Sequence, residues 1–130
     1  VWQINNDIDS RMYSRRTKFI KYSQHLKWFE RTLKNKEYSI YLVKKDKTNI
    51  GIIRQNKKKN KIFLSWALRR KFKGKNLGVK LVKEFIKKNN NTFFAEVHKL
   101  NIRSIKICKK IGFEFLKKED DFLLFKKNKL

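Results

Sequence analysis

The chain has 130 residues, of which 36 are Lys or Arg and 11 are Asp or Glu, so that its formal net charge is +25. A chain of this length can bury one hydrophobic core, and we expect a single domain over residues 1–130 that folds without a disulfide framework or a structural metal. No apolar run approaches the roughly 18 residues of a membrane span, and no basic segment followed by an apolar one opens the chain, so we expect no membrane association.

The single Cys and the first residue bear on cellular location and on the extent of the chain. One Cys in the whole sequence is typical of a reducing compartment, and it predicts a cytoplasmic location. The chain starts at Val1 rather than at Met, which predicts that native residues precede it and that the domain is truncated at its N-terminus. Both a monomer and a homodimer are compatible with the sequence.

The strong positive charge permits two interpretations. Lys and Arg attract polyanions, and Lys57, Lys58, Lys59 and Lys61 form one short basic run, so a non-enzymatic nucleic-acid-binding module is one hypothesis. However, 28 of the basic residues are Lys, Asn and Ile are abundant, and Pro is absent. A/T-rich codons produce this composition, and surface Lys then accumulates without a partner. Because most of the charge is interleaved with apolar residues, the second interpretation is favoured.

Hydrophobic periodicity predicts one helix and three strands in the first half of the chain. Apolar residues at helical spacing after a serine N-cap predict a helix over 23–34. Alternating and β-branched residues predict strands over 38–43 and 50–54, joined by a turn at 45–49 as an antiparallel hairpin. The third strand, over 61–68, carries apolar residues at both sets of alternating positions, and these sets face opposite sides of a sheet. We expect it to be central in the sheet, with both faces largely buried.

Two helices and three further strands are expected in the second half. Helical spacing predicts a helix over 79–87 with Lys and Glu on its outer face, and a second helix over 102–111 between Asn101 as N-cap and Gly112 as C-terminal breaker. Four residues of the second helix are expected to face inward: Ile102, Ile105, Cys108 and Ile111. The predicted strands are 92–97, 113–116 and 122–125. The order of elements predicts a mixed α/β domain that is not doubly wound.

A basic, glycine-bearing loop over 73–78 lies between the third strand and the helix that follows. Backbone N–H groups at a helix N-terminus lack intrahelical partners and carry the positive end of the helix dipole, so a tight loop there can bind a phosphate group. Gly74 and Gly78 allow close approach of the backbone, and Lys73, Lys75 and Lys80 add charge. An ordinary strand-to-helix turn is the alternative. The Gly-Lys-Ser/Thr ending of a Walker loop and the third Gly of a dinucleotide loop are absent.

Two motifs in this half resemble motifs of the GNAT acetyltransferases. The loop Lys73-Gly74-Lys75-Asn76-Leu77-Gly78-Val79 is similar to that family's Arg/Gln-x-x-Gly-x-Gly/Ala loop for the diphosphate of acetyl-CoA. Asn76 replaces the first family Gly, and Asn tolerates positive φ better than most residues, so the loop can keep its conformation. Further along the chain, the segment from Asn101 to Phe113 resembles the family's Asn-led helix ending in Gly-Phe. The resemblance covers essentially the whole chain.

The resemblance implies a fold, a co-substrate and a reaction. The implied fold is the GNAT acyl-CoA N-acyltransferase fold, with a mostly antiparallel central sheet, a splayed strand pair, helices on both faces, and a first strand lost before Val1. The implied co-substrate is acetyl-CoA, and the implied reaction is direct transfer of acetyl to a primary amine. The splayed central strand offers backbone N–H groups to the pantetheine and the oxyanion. The residues implied to bind acetyl-CoA are Leu68, Arg69, Lys73, Gly74, Lys75, Asn76, Leu77, Gly78, Val79, Asn101 and Ser104.

Three residues are candidates for proton transfer. Relatives place a Tyr seven positions after the leading Asn as proton donor to the CoA thiolate, and this position is Cys108 here; packing as a small hydrophobe is the alternative. Many relatives carry a Glu on the central strand that acts as the general base, and this chain has Phe63 there. Glu96 or His98 on the adjacent strand could serve instead through a water molecule. An inactive copy of the enzyme is a further alternative.

Within the family, the N-terminal segment is similar to the branch that acetylates amino groups of nucleotide-activated sugars, such as the pseudaminic-acid pathway enzymes. That similarity rests on Trp2, the Met12-Tyr13 pair and the segment around His25, and it implies that Met12, Tyr13, His25 and Trp28 bind the acceptor. Packing in the core and exposure on a helix are the alternatives for these four. Gln3 stands where the branch usually has an Arg. An N-terminal amine of a ribosomal or other protein is the competing acceptor.

We expect neither a metal site nor a nucleophilic triad. The chain has one Cys and two His, and His25 and His98 lie far apart without the spacing of metal ligands.

Overall fold

A computed structural model describes residues 37–45, 47–73 and 76–129 of the chain, and the helix predicted over 23–34 lies outside these ranges. The described residues form one six-stranded sheet and two α-helices. In chain order the elements are β1 (Tyr38–Lys45), β2 (Thr48–Lys58), β3 (Lys61–Leu68), a 3-10 turn (Arg70–Phe72), α1 (Leu77–Lys88), β4 (Phe93–His98), α2 (Ile102–Ile111), β5 (Glu114–Glu119) and β6 (Phe122–Lys127). The strand order across the sheet is β1-β2-β3-β4-β6-β5.

The first three strands form an antiparallel meander whose hairpin turns are shorter than predicted. β1 ends at Lys45 and β2 begins at Thr48, so the turn predicted over 45–49 is wrong at both ends. Positive φ at Lys47 (68°) allows the chain to reverse there. The strand predicted over 50–54 continues to Lys58, because its polar second half pairs with β3 as far as Lys58↔Lys61. Backbone pairing thus extends the strand where hydrophobic alternation ends.

α1 (Leu77–Lys88) exceeds the predicted 79–87 by two residues at its start and one at its end, whereas α2 lies between its predicted caps, Asn101 and Gly112. Asn76, at the start of α1, adopts φ 57° and ψ 12°, the left-handed conformation expected when Asn replaces Gly. Before α2, the side-chain Oδ1 of Asn101 accepts a hydrogen bond from the Ser104 backbone N–H at 3.3 Å. At the other end of α2, Gly112 has φ 104°, and both Gly112 N–H and Phe113 N–H donate to the Cys108 carbonyl.

The core lies between the sheet and the two described helices. Its cluster includes Val82 and Ile86 of α1, Cys108 of α2, and Phe93 of β4. The Phe85 and Phe93 rings lie 6.2 Å apart, and those of Trp66 and Phe113 lie 6.3 Å apart. Because both helices pack on one shared cluster and contact each other, they cover the same face of the sheet. The expectation of helices on both faces therefore depends on the segment over 23–34, outside the described residues.

The central position predicted for β3 is confirmed, but the expectation that both its faces are largely buried is wrong. Leu64 is the one fully buried residue of β3, and Ser65 is exposed. β3 and β4 are parallel and pair at Ile62↔Phe93 and Phe63↔Phe94, so among the described strands the second half of β3 has no paired neighbour on that side. Ile102 was likewise expected to face inward, yet it is 54% exposed. It is the first residue of α2 and lies at the opening between the strands.

The mixed α/β class and the mostly antiparallel sheet are confirmed, since β3–β4 is the parallel pair among the described strands. Within these residues, no helix is both long and apolar enough to cross a membrane.

Candidate active site

An open cleft of about 840 Å³ begins where β3 and β4 part. Trp66, Ala67 and Leu68 of β3 line one wall, and Glu96, Val97 and His98 of β4 line the other. The starts of α1 and α2 border its mouth through residues that include Lys73, Asn76, Gly78, Val79, Asn101 and Ser104. Parallel pairing over two residues followed by separation gives the splayed strand pair that was expected.

The first turn of α1 presents backbone donors at the mouth of the cleft. Asn76 makes no side-chain hydrogen bond that would cap the helix, and no acidic residue lies in the first turn. The N–H groups of Leu77, Gly78 and Val79 precede the first i→i−4 bond, which runs from Lys80 N to Asn76 O at 3.3 Å. This end of the helix is therefore chemically suited to a phosphate group.

Gly78 allows α1 to pack closely on α2 beside this anion site. A Cβ at this position would lie 2.7 Å from Ile107 Cδ1 and 3.5 Å from Leu68 Cδ1. A Cβ at this position would require the Ile107 side chain to move, so Gly78 contributes to the close packing of α1 on α2.

The backbone donors of β3 differ from the predicted pair. Arg69 N–H donates to the Ile50 carbonyl at 2.7 Å, so this group, proposed from the sequence as a donor to pantetheine, is already engaged within the sheet. In an antiparallel ladder the bonding direction alternates from residue to residue. Leu68 and Trp66 therefore direct their N–H groups toward β4, into the region where the strands part. The sequence did not identify Trp66 as a backbone donor. Which residues of β3 direct their N–H groups toward β4 depends on the register with β2, and the sequence alone does not give that register.

Trp66 also carries a buried polar atom that lacks a partner. Its indole Nε1 has no hydrogen-bond partner among the described residues, although buried indole N–H groups usually have one. Trp66 lines the cleft, while its indole ring packs against the core beside Phe113.

The charges around the cleft are mostly positive. Five cationic residues line it against one carboxylate, that of Glu96; the cationic residues are Arg54, Lys73, Arg103, Lys106 and Lys110. A cleft with one dominant sign of charge concentrates ligands of the opposite sign. The arrangement suits a ligand with several phosphate groups.

Glu96 and His98 lie together on the side of β4 that faces away from α1 and α2. Phe93, Ala95 and Val97 are buried in the core, so the alternating residues Glu96 and His98 point to the opposite side. His98 Nδ1 accepts a hydrogen bond from the Leu100 N–H at 3.1 Å, which places the proton of the neutral ring on Nε2. The His98 ring is T-shaped against Phe122, with centroids 5.3 Å apart. The structure thus brings the two proposed base candidates to the same wall of the cleft.

Cys108 is separated from these groups. Its exposure is 0%, it belongs to the core cluster, and it is not one of the cleft-lining residues. Burial raises the pKa of the Cys108 thiol from 9.0 to about 12, while a backbone hydrogen bond acts in the opposite direction. A thiol with so high a pKa, out of reach of the cleft, is poorly suited to protonate a thiolate. These observations favour the packing alternative for Cys108.

Some predicted site residues lie outside the described residues. They are Met12, Tyr13, His25, Trp28, Gly74 and Lys75. In the described part of the chain, no group of three or more His, Cys, Asp or Glu residues could hold a metal ion.

Comparison with known proteins gives a family and a fold. A family model described as an acetyltransferase (GNAT) domain matches residues 1–114. The structure is similar to N-acetyltransferase PseH of Campylobacter jejuni in complex with acetyl coenzyme A, with 24% identity and a TM-score of 0.74 over 86% of this chain and 82% of that one. No protein with a curated description matches the sequence.

Two further similar structures are protein acetyltransferases. A ribosomal-protein-alanine N-acetyltransferase from Brucella melitensis has 15% identity and a TM-score of 0.76, over 98% of this chain and 91% of that one. RimL, a ribosomal L7/L12 alpha-N-protein acetyltransferase in complex with coenzyme A, has 9% identity and a TM-score of 0.81, over 98% and 84%. At these identities the likeness supports the fold, and the family model spans most of the sequence. The chain therefore belongs to the GNAT acetyltransferase family, with acetyl-CoA as its co-substrate.

Proposed function

We propose that this enzyme transfers acetyl from acetyl-CoA directly to the primary amine of a nucleotide-linked amino sugar. The observation that carries the proposal is the cleft between β3 and β4, because it joins the uncapped start of α1 to the carboxylate of Glu96. A small-molecule acceptor with its own diphosphate also suits a cleft whose charges are mostly positive.

The described residues fit acetyl-CoA in two places. The N–H groups at the start of α1, with Lys73 and Lys80 beside them, would hold the diphosphate. The N–H groups of Trp66 and Leu68 on the parted edge of β3 would hold carbonyl groups of the pantetheine and acetyl moieties, as a third strand would in a sheet. Asn101 contributes by fixing the start of α2 through its bond to Ser104 N–H.

The chemistry requires the removal of one proton from the amine. Acetyl-CoA supplies an activated thioester: its C–S bond breaks as the new C–N bond forms, and the proton lost from nitrogen balances the one gained by sulfur. In our proposal Glu96 accepts the amine proton through a water molecule. We choose Glu96 over His98 because the Nδ1 lone pair of His98 already accepts a hydrogen bond from Leu100 N–H. We assign His98 to hydrogen-bond donation at the cleft wall.

Two classes of acceptor have support from the comparisons with known proteins. The nucleotide sugar is supported by the similarity to PseH and by the resemblance of the N-terminal segment to the sugar-nucleotide branch. A protein N-terminus is the alternative, and the similarity to two ribosomal-protein acetyltransferases favours it. We further propose a cytoplasmic location, since a lone Cys suits a reducing compartment.

Nucleic-acid binding by the β2–β3 turn is a third hypothesis. Lys57, Lys58 and Lys59 are exposed there. Lys58 Nζ lies 5.9 Å from the Phe63 ring centroid, and Lys61 Nζ lies 5.2 Å from that of Phe94. Charge alone supports this hypothesis, and it predicts binding with a steep salt dependence.

Thermal unfolding with added ligands tests the co-substrate site. Acetyl-CoA at 100 times its Kd should stabilise the protein by about 2.7 kcal/mol, whereas RNA at physiological salt should leave the Tm unchanged. Lys73→Gln should weaken acetyl-CoA binding, and Lys71→Gln, a matched change at an exposed residue that does not line the cleft, should not. A folded sample whose Tm does not respond to millimolar acetyl-CoA would refute the proposed function.

A panel of acceptors tests the substrate class. UDP-amino sugars and peptides with free N-termini are compared under identical conditions, with release of CoA as the readout. Turnover of an amino sugar but not of the peptides supports our assignment, and the reverse result transfers it to the protein N-terminus.

A further inference from the structure

Three basic residues form a stripe along the side of α2 that faces the cleft. Arg103, Lys106 and Lys110 stand at i, i+3 and i+7, a spacing that places side chains on one side of a helix, and all three line the cleft. Lys109 lies on the same helix, is exposed, and does not line the cleft. The basic character facing the cleft is therefore a property of particular positions and not of the helix as a whole.

The stripe lies beside the start of α1. Ile107 is adjacent on the helix surface to Arg103 and Lys110, and its Cδ1 is the atom that a Cβ on Gly78 would meet at 2.7 Å. Because Gly78 is in the first turn of α1, the stripe and the proposed diphosphate site border the same mouth of the cleft.

The charge of coenzyme A is divided between two groups. One is the diphosphate, for which the N-terminus of α1 provides backbone donors. The other is the phosphate monoester on the ribose 3′ oxygen, which carries a charge of about −1.5 to −2 near pH 7, as phosphate monoesters do. The backbone donors at the start of α1 can serve one group at a time, so the second group needs its own cations.

We propose that Lys106 and Lys110, with Arg103 beside them, bind the 3′-phosphate of coenzyme A and make the enzyme prefer it to 3′-dephospho-coenzyme A. This inference rests on the proposed function, because it assumes that coenzyme A occupies the cleft. Lys acts as a mobile point charge at such a site, which suits a phosphate on the exposed side of a bound molecule. A phosphate of the acceptor is the other source of the same chemistry.

Calorimetric titration with coenzyme A and with 3′-dephospho-coenzyme A tests the proposal by binding alone. Exposed ion pairs contribute roughly 0.2–1 kcal/mol each, so we expect the wild type to bind coenzyme A about five- to tenfold more tightly. The ratio should fall as salt is raised, because exposed charges are screened. The double variant Lys106→Gln/Lys110→Gln should reduce the ratio to about two or less, with the affinity for the dephosphorylated ligand nearly unchanged.

Lys109→Gln is the control by position, since it removes one positive charge from α2 at an exposed residue that does not line the cleft. It should preserve the wild-type ratio, and circular dichroism should report the same fold for all variants. Equal affinity of the wild type for both ligands overturns the 3′-phosphate site and leaves the proposed function standing, whereas binding of neither ligand overturns both. If the double variant keeps the ratio but raises the KM for a UDP-amino sugar, the stripe serves the acceptor, and the inference is wrong.

Discussion

The two ends of the β3–β4 pair differ in structure and, we argue, in task. At one end Ile62↔Phe93 and Phe63↔Phe94 pair in parallel, and Phe93 is fully buried. At the other end the strands have parted, Ser65 and Glu96 are exposed, and the cleft opens. One pair of strands thus closes the core over two residues and borders an open cleft over the rest of its length.

We expect the two ends of the β3–β4 pair to contribute differently to stability and to function. Residues at the closed end contribute through buried apolar area, while residues at the open end contribute little to the core and face the cleft. Substitutions at the closed end should therefore change the free energy of unfolding, and those at the open end should change binding or turnover. The predictions below test this separation, beginning with the largest expected effect.

Phe93→Ala should destabilise the protein by about 3–5 kcal/mol, because it removes a fully buried ring and leaves a cavity beside Phe85. That is a large part of the total stability of a small domain. Ser65→Ala at the open end is the comparison, and it should change stability by less than about 0.5 kcal/mol. Urea denaturation followed by circular dichroism measures both. Similar losses for the two variants would show that the two ends contribute equally to stability and would contradict the proposed separation.

Glu96→Gln should lower kcat by about 100-fold, because an amide cannot accept the proton that leaves the amine. Glu96 is exposed, so the free energy of unfolding should change by less than about 0.5 kcal/mol. Steady-state kinetics at saturating acetyl-CoA measure the effect. Glu84→Gln, at an exposed position of α1, is the control and should leave kcat unchanged. An unaffected kcat in Glu96→Gln would remove this residue from the reaction.

Local rules were sufficient for the elements and their caps. Asn101 and Gly112 act at the ends of α2 where the sequence placed them, because capping depends on a few neighbouring residues. Asn76 adopts the left-handed conformation that its place in the loop predicted. The GNAT motifs also predicted the fold family and the co-substrate. Hydrophobic periodicity was less reliable at strand ends, since the polar second half of β2 is held by pairing with β3 and not by burial.

The errors at the site arise from tertiary relations that one segment does not encode. Whether Arg69 or Trp66 offers its N–H to the cleft depends on the register between β2 and β3. Ile102 fits a helical apolar pattern, yet it lies at the opening that the parting of β3 and β4 creates. The burial of the faces of β3 was overestimated for the same reason, and Ser65 is exposed. Strand register and strand separation are relations between segments, so hydrophobic alternation within one segment cannot predict them.

Substitution of Cys108 has the smallest expected effect. It tests whether the thiol is the proton donor of the reaction or a buried side chain that packs in the core. The thiol is fully buried, so Cys108→Ala should cost about 1 kcal/mol of stability and leave kcat of the folded enzyme unchanged. The raised pKa adds a pH dependence: above about pH 9 the unfolded chain loses the thiol proton, while the folded protein keeps it until about pH 12. Wild-type stability should therefore fall through this window by an increment that Cys108→Ala lacks.

Urea denaturation of both proteins at pH 8 and pH 10 measures that increment, since changes in other titrating groups are common to the pair. At pH 8 a thiol reagent such as DTNB should react with Cys108 only after unfolding, because the native thiol is both protonated and inaccessible. Rapid reaction in the native state, together with a tenfold loss of kcat in Cys108→Ala, would instead make this thiol the proton donor. The position that carries Tyr in relatives would then have kept its chemistry with a shorter side chain, and the cleft would extend deeper into α2 than its lining residues indicate.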